Sequence, residues 1–166
     1  MAKQSAGVLV YRKKPSGVEV LIVHPGGPFW AKKDKGAWTL PKGEFNDTEE
    51  ALDAAKREFQ EETGQPLPAG EYLELGTVKN KSGKTIYGWA VQGDMDITKL
   101  NSNSMMIEWP PKSGKEQEFR EVDKAGWFTP DKAMQKLHPA QAPFVERLLK
   151  ALGIETEKPP QQASLF

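Results

Sequence analysis

A chain of 166 residues with 23 Lys and Arg, 23 Asp and Glu and a formal net charge of zero has room for one well-packed domain. It carries no global field that would recruit nucleic acid or membrane, so any binding of phosphate rests on local placement. Cysteine is absent, which excludes disulfides, thiolate catalysis and zinc–sulfur sites; the only histidines, His24 and His138, are too separated for a zinc motif and are expected in loop or surface settings.

The opening residues MAKQSAGVLVYRKK lack the long apolar run of a signal peptide or membrane span, so a soluble, cytoplasmic protein is expected. Alternating apolar residues predict a strand over Ser5 to Lys13, and VEVLIVH predicts another over Val18 to His24; Pro15-Ser16-Gly17 joins them as a hairpin. The turn-rich segment Pro25 to Gly36, with Lys32, Lys33 and Lys35, reads as an exposed loop beside a site. Ala37 to Leu40 is expected as a short strand ended by Pro41-Lys42-Gly43.

A helix is predicted from about Thr48 to Thr63, with Asn46, Asp47 or Thr48 available as its N-cap and Gly64 suited to its C-terminal end. Leu52, Ala55 and Phe59 form a core stripe, while the small Ala51 and Ala54 are expected near the other face, leaving room there for a ligand. The last turns read KREFQEETG, in which Glu58, Glu61 and Glu62 stand at i, i+3 and i+4 and so share a face. Two readings fit that face. One is a solvated acidic surface relieved by Lys56 and Arg57; the other is a cation site of hard oxygen ligands suited to Mg²⁺ or Mn²⁺.

Further along, EYLELGTVKN and KTIYGWAVQG, joined at Ser82-Gly83, read as a second hairpin. Ser104 to Trp109 and Ala125 to Thr129 supply shorter strands, and Ala142 to Gly153 a second helix whose Phe144, Leu148, Leu149 and Leu152 face the core. Strands and helices do not alternate as βαβ units, so the expected class is α+β, with a mixed central sheet between helices. Residues 1–153 are read as one domain and 154–166, with Pro159-Pro160, as a flexible tail.

From Gly43, five residues lead to Glu49, and seven more to Arg57-Glu58-Phe59-Gln60-Glu61-Glu62-Thr63-Gly64. This spacing resembles the Nudix box, with all charged and glycine positions matched and one departure: Gln65 stands where the family has an aliphatic residue, and Leu67 is the available substitute. The resemblance implies the family's α/β/α sandwich and a divalent-metal-dependent hydrolysis of nucleoside diphosphates linked to some group X. It implies Glu58, Glu61 and Glu62 as ligands of Mg²⁺ or Mn²⁺, with the Gly43 carbonyl as an extra ligand, or one of these carboxylates as the base that deprotonates the attacking water. Arg57 would orient a neighbouring glutamate, Glu49 would fix the loop–helix geometry, and Lys42 would meet a phosphate oxygen. A further glutamate before a strand-ending tryptophan matches Glu121 ahead of Trp127, the leading general base or accessory ligand, with Glu118 in reserve; a solvated loop is the alternative for both.

Trp38-Thr39-Leu40-Pro41-Lys42-Gly43 and Lys84-Thr85-Ile86-Tyr87 resemble diadenosine tetraphosphate hydrolases of the family. That ranks dinucleoside polyphosphates first, with Trp38 and Tyr87 joining Lys42 as substrate contacts. Nucleoside triphosphates and RNA 5′ ends follow, then nucleotide sugars and diphosphoinositol phosphates. Phe29, Trp30, Tyr87 and Trp89 are the aromatic candidates for stacking on a base, or core packing. A catalytically silent nucleotide-binding regulator is the reading from another class, and such a protein is expected to lose a box carboxylate. Finally, Gln162-Ala163-Ser164-Leu165-Phe166 resembles the pentapeptide by which bacterial repair proteins dock on the DNA sliding clamp.

Overall fold

The structure, a computed structural model, describes residues 3–154. Most of the tail, including the clamp-like Gln162 to Phe166, lies outside the described residues. The expected first hairpin forms from β1 (Gln4–Lys14) and β2 (Gly17–Pro25), in antiparallel register with Lys14 opposite Gly17. Burial is continuous from Ser5 to Tyr11 because β1 is covered on both faces, which is why this stretch reads as a nearly unbroken apolar run.

β3 (Lys42–Phe45), β4 (Leu73–Lys79), β5 (Thr85–Gln92) and β8 (Val122–Phe128) complete the main sheet, in the order β4-β5-β1-β2-β8 with β3 also on β1. Its β1–β5 pair is parallel and its other pairs are antiparallel, so the sheet is mixed as expected. α1 (Ala51–Thr63) covers one face, where Ala54, Ala55 and Phe59 pack on Ala6, Val8 and Val10. α2 (Pro130–Lys136) and α3 (Ala142–Ala151) cover the other, where Ala133, Phe144, Val145 and Leu148 pack with Leu9, Tyr11 and Ile22. Phe59 and Phe144 are fully buried, one in each layer; truncating either to alanine costs about 3–5 kcal/mol.

Several expectations are corrected. The segment Ala37 to Leu40 makes only isolated bridges, Thr39 with Val23 and Trp38 with Leu137, and the paired strand begins after Pro41, at Lys42. α1 starts at Ala51 rather than Thr48, and none of Asn46, Asp47 or Thr48 is its N-cap: Asn46 instead accepts from the Thr48 amide and hydroxyl, closing a turn ahead of the helix. Ala54 does not leave ligand space. It is fully buried, and its small side chain lets the helix approach β1 and β3 closely.

His24 is 1% exposed rather than superficial. The charged run before Trp127 is not a loop: Glu116–Arg120 is β7, paired with β6 (Ser104–Glu108) in a separate two-stranded sheet, and β8 begins at Val122. α2 was not anticipated, although Thr129 caps it through the Lys132 amide and Pro130 opens it.

Candidate active site

β3 alternates its side chains. Its register on β1 (Gly7–Lys42, Ala6–Gly43, Ser5–Glu44) places Lys42 and Glu44 on one face and Gly43 on the other, the face covered by α1. A Cβ at Gly43 would fall on the Glu58 carboxylate. Since Gly43 has no positive φ, space alone demands the glycine, and the close approach brings the β3 backbone against a helix carboxylate. The Lys42 amide in turn donates to Glu62 Oε1 at 3.2 Å.

Arg57 organises the outer side of the cluster. Its Nε and Nη2 both donate to Glu49, each at 2.9 Å, and Nη1 donates to Glu58 at 2.9 Å and to Glu61 at 3.1 Å. One guanidinium therefore ties the loop before α1 to two carboxylates of its last turns. The hydrogen bond from Arg57 holds the Glu49 carboxyl below its ordinary range.

Glu62 lacks such a partner. Burial first, then the Glu58 charge, pushes its carboxyl up to about 8. Burial and then Glu61 raise Glu58, and burial and then Glu61 raise Glu121. Lys42 is shifted down by burial and then by Lys84, and among the described residues it makes no ion pair. Among the described residues, Glu62 and Glu121 have no cationic partner and share the cleft with a lysine that has no anionic one.

Glu121 reaches this cluster through backbone clasps. The amides of Asn101 and Asn103 donate to the Thr63 and Glu61 carbonyls at the end of α1, each at 2.8 Å. The Glu121 amide donates to the Asn103 carbonyl at 2.8 Å, and buried Ser102 accepts from the Val122 amide at 2.9 Å. On its other side the Gly26 amide donates to the Glu121 carbonyl at 2.8 Å, and a side chain at Gly26 would collide with the Arg120 carbonyl. Glu118, by contrast, lies exposed in β7 opposite Met106, away from the cluster.

These residues border a cleft of about 280 Å³ whose walls include Lys42, Glu62, Lys84, Glu121, Trp30 and Trp38. Lys84 is held to Glu44 at 2.8 Å. The Trp38 ring is only 4% exposed and its indole N–H donates to Asp34 at 2.7 Å, so it is wall rather than stacking platform. Trp30 is 38% exposed at the same cleft. Tyr87 does not border it; on the α1 face of β5 it packs edge-on to Phe45 and stacks on Trp89. Gln65 donates to the Lys99 carbonyl, and Leu67 packs on the α1 core.

Two contributors had no sequence signal. Buried Gln141 accepts from the Leu40 amide at 2.9 Å and the Thr39 hydroxyl at 3.0 Å, fixing the segment that leads into β3. His24 lies between Asp123 (2.8 Å) and the Lys33 carbonyl (2.6 Å), pinning the loop that carries Trp30 to β8.

Among the described residues, no three acidic or histidine side chains form a ready-made metal cage; Arg57 holds Glu58 and Glu61 while Glu62 rests on the Lys42 amide. The donor set nevertheless fits a hard divalent cation. It consists of carboxylate oxygens, those of Glu58 and Glu62 raised in proton affinity by burial first and then by a neighbouring carboxylate, beside a close backbone approach that only glycine permits.

An 8-oxo-(d)GTP phosphatase from Mycolicibacterium smegmatis is 29% identical over 138 residues, 82% of this chain; the chain spans only 35% of that relative's length. Among solved structures, the Caenorhabditis elegans Ap4A hydrolase binary complex matches with a TM-score of 0.65 at 18% identity, covering 90% of this chain and 98% of that one. The complex between the C-terminal domain of mouse MUTYH and human PCNA gives a TM-score of 0.58 at 19% identity, covering 98% and 97%. These two likenesses are of fold. The NUDIX domain model matches residues 1–148, spanning both helical layers and the acidic cluster between β3 and α1, and the chain belongs to that family.

Proposed function

We propose that the chain is a metal-dependent pyrophosphohydrolase that cleaves a phosphoanhydride in nucleoside-diphosphate-X compounds, with dinucleoside polyphosphates as the leading substrate class. The observation that carries this reading is the convergence of Glu62 and Glu121 with Lys42 and Lys84 on one cleft, backed by Glu58 against Gly43. A polyphosphate is anionic, so the carboxylates would repel it without a cation between them. Glu58, Glu61 and Glu62, with the Gly43 carbonyl, would hold Mg²⁺ or Mn²⁺, and a bound ion supplies charge neutralisation and Lewis acidity toward a phosphoryl oxygen.

The protein's own groups do the rest. Arg57, fastened to Glu49, keeps Glu58 and Glu61 oriented. Glu121 takes the proton of the attacking water; the water oxygen bonds to phosphorus, the anhydride P–O bond breaks, and the leaving group departs as a phosphate. Lys42 and Lys84 contact phosphate oxygens, and Trp30, the exposed aromatic of the cleft, stacks on a base. The unit responsible is residues 1–153, with 154–166 as an appended tail.

Likeness to the 8-oxo-(d)GTP phosphatase supports nucleoside triphosphates as a second substrate class, with RNA 5′ ends behind it. A silent nucleotide-binding regulator is disfavoured because every box carboxylate is present. The test is a mass-resolved hydrolysis panel with Mg²⁺ and Mn²⁺ over dinucleoside polyphosphates, nucleoside triphosphates, nucleotide sugars and 5′-triphosphorylated RNA, with Glu62→Gln as control. Glu62-dependent cleavage of one class supports the reading; binding without turnover on every member favours the regulator.

We also propose that Gln162 to Phe166 dock on a bacterial DNA sliding clamp. Support comes from the pentapeptide pattern and, at the level of fold, from the likeness to a chain solved with human PCNA. Saturable clamp binding of the full chain that is lost in Phe166→Ala is expected; equal binding by both chains overturns it.

A further inference from the structure

Beyond the cleft lies a second cavity of about 630 Å³, formed between the β4–β5 hairpin and the segment joining α2 to α3. Both cavities are lined by Asn80 and His138, so they adjoin at these two residues. Their linings differ in kind. The cleft combines carboxylates, lysines and tryptophans, whereas the second chamber adds Lys79, Lys81 and Ser82 and, among the described residues, has neither a carboxylate nor an aromatic residue other than His138.

Its walls are fixed by hydrogen bonds. Asn80 Oδ1 accepts from the Ser82 amide (3.1 Å), the Ser82 hydroxyl (2.7 Å) and the Lys84 amide (2.9 Å), closing the hairpin tip from which Lys79 and Lys81 project. Across from it, the His138 amide donates to the Trp38 carbonyl at 2.9 Å, which ties this wall to the segment entering β3. The Ala140 amide donates to His138 Nδ1 at 3.1 Å. That bond occupies the Nδ1 lone pair and leaves Nε2 as the N–H donor of the ring, and among the described residues Nε2 meets no acceptor.

Resting on the hydrolase reading above, we infer that the second chamber is the subsite for X, and that it takes an X carrying further phosphate beyond the cleaved anhydride. Lys79 and Lys81 supply the charge, and His138 Nε2–H marks the junction between the two chambers. The chamber offers donors and no stacking surface, so it selects for additional phosphate groups and not for a second base or a bare sugar. Substrate is thereby given a polarity: one nucleoside on the Trp30 side, the scissile anhydride at the carboxylates, and the continuing phosphate chain along the hairpin. Two sources share that chemistry, the long bridge of a dinucleoside polyphosphate and the phosphodiesters behind an RNA 5′-triphosphate.

Equilibrium binding in Mg²⁺ separates this inference from turnover. The ligands are an ATP analogue, a diadenosine tetraphosphate analogue and a 5′-triphosphorylated trinucleotide analogue in which methylene replaces every anhydride oxygen between phosphorus atoms, so no phosphoanhydride is left to cleave. The quantity read is selectivity, the Kd of the ATP analogue divided by that of each longer ligand. Replacing Lys79 and Lys81 together by alanine is expected to lower the selectivity by about tenfold, roughly 0.7 kcal/mol per lysine. Removing the equally exposed Lys112 and Lys115, outside both chambers, leaves it unchanged.

His138→Leu lowers selectivity by about threefold, and His138→Gln, which places an amide N–H near the Nε2 position, restores it. Loss for the dinucleotide alone assigns the extra phosphate to a dinucleoside polyphosphate, and loss for the trinucleotide alone to RNA. Unchanged selectivity for both ligands in the double variant, or an equal fall in the Lys112/Lys115 variant, overturns the inference. Failure of the hydrolase reading shows up elsewhere, as absence of cleavage of every unmodified substrate.

Discussion

Glu49 and Glu62 belong to the same acidic motif, and the chain surrounds them in opposite ways. Glu49 receives a two-pronged hydrogen bond from Arg57, and that contact lowers its proton affinity. Glu62 is half-buried beside Glu58 with a backbone amide as its only hydrogen-bond partner among the described residues, and its carboxyl is pushed up to about 8 by desolvation and then by the Glu58 charge. The contrast separates two jobs that look alike in sequence. A carboxylate neutralised within the fold serves the fold, whereas one left in a cleft without a cationic partner supports the proposed cation site.

The largest expected effect comes from removing the two carboxylates that meet the β3 backbone. Glu62→Gln and Glu58→Gln each lower turnover by orders of magnitude with circular dichroism unchanged, and the metal-free Glu62→Gln protein melts no lower than wild type at pH 8, because a half-buried charge has been removed. Retained turnover in either variant takes that residue out of the site. Arg57→Leu acts on the compensated side: it releases Glu49, Glu58 and Glu61 together, so both the melting temperature (by a few degrees, roughly) and turnover (by about tenfold or more) fall. A loss of turnover with no change in melting would show that Arg57 has no part in the fold.

A smaller effect is read by pH. The folded-state value for Glu62, about 8, exceeds its ordinary 4.5, so the folded protein binds the proton more tightly than the unfolded chain. That contribution is full below the ordinary value and is lost as pH rises through the folded one. The metal-free melting temperature is therefore expected to drop by several degrees, on the order of the loss of a few kcal/mol, between pH 6 and pH 8.5. Glu62→Gln should flatten that slope, and Mg²⁺ should offset it in the wild type. Smallest of all is Glu118→Gln, expected to change turnover by less than about twofold, against a large loss in Glu121→Gln; the reverse order would move the accessory role into β7.

Much of the fold was legible because periodicity carries it. β1, β2, β4, β5, α1 and α3 all follow apolar patterns long enough to exclude the alternatives. What escaped were short elements set by tertiary contacts. β3 is only Lys42–Phe45 and exists because β1 offers it an edge, and β7 is a charged strand whose only partner among the described residues is β6. Within the site, box spacing placed Glu58, Glu61, Glu62 and Arg57 together because one helix holds them all. Glu121 was findable only by its distance from Trp127, since what brings it in is a set of backbone clasps through Asn101 to Asn103. Tyr87 stands on the α1 side of β5 and not at the cleft, because strand alternation gives two faces and the sequence does not say which one borders the cleft. His138 and Gln141 are polar residues in a connection, and nothing local distinguishes them from solvated ones.

The central claim is that the uncompensated end of the acidic motif is a cation site, and direct Mn²⁺ binding tests it best. Titrating the full chain with Mn²⁺ at pH 7.5 and following free ion by electron paramagnetic resonance should give saturable binding in the wild type, weakened at least about tenfold in Glu62→Gln and little changed in Glu118→Gln. Identical Mn²⁺ binding in wild type and Glu62→Gln would contradict the account, returning Glu62 to the role of a half-buried helix carboxylate with no ligand to hold.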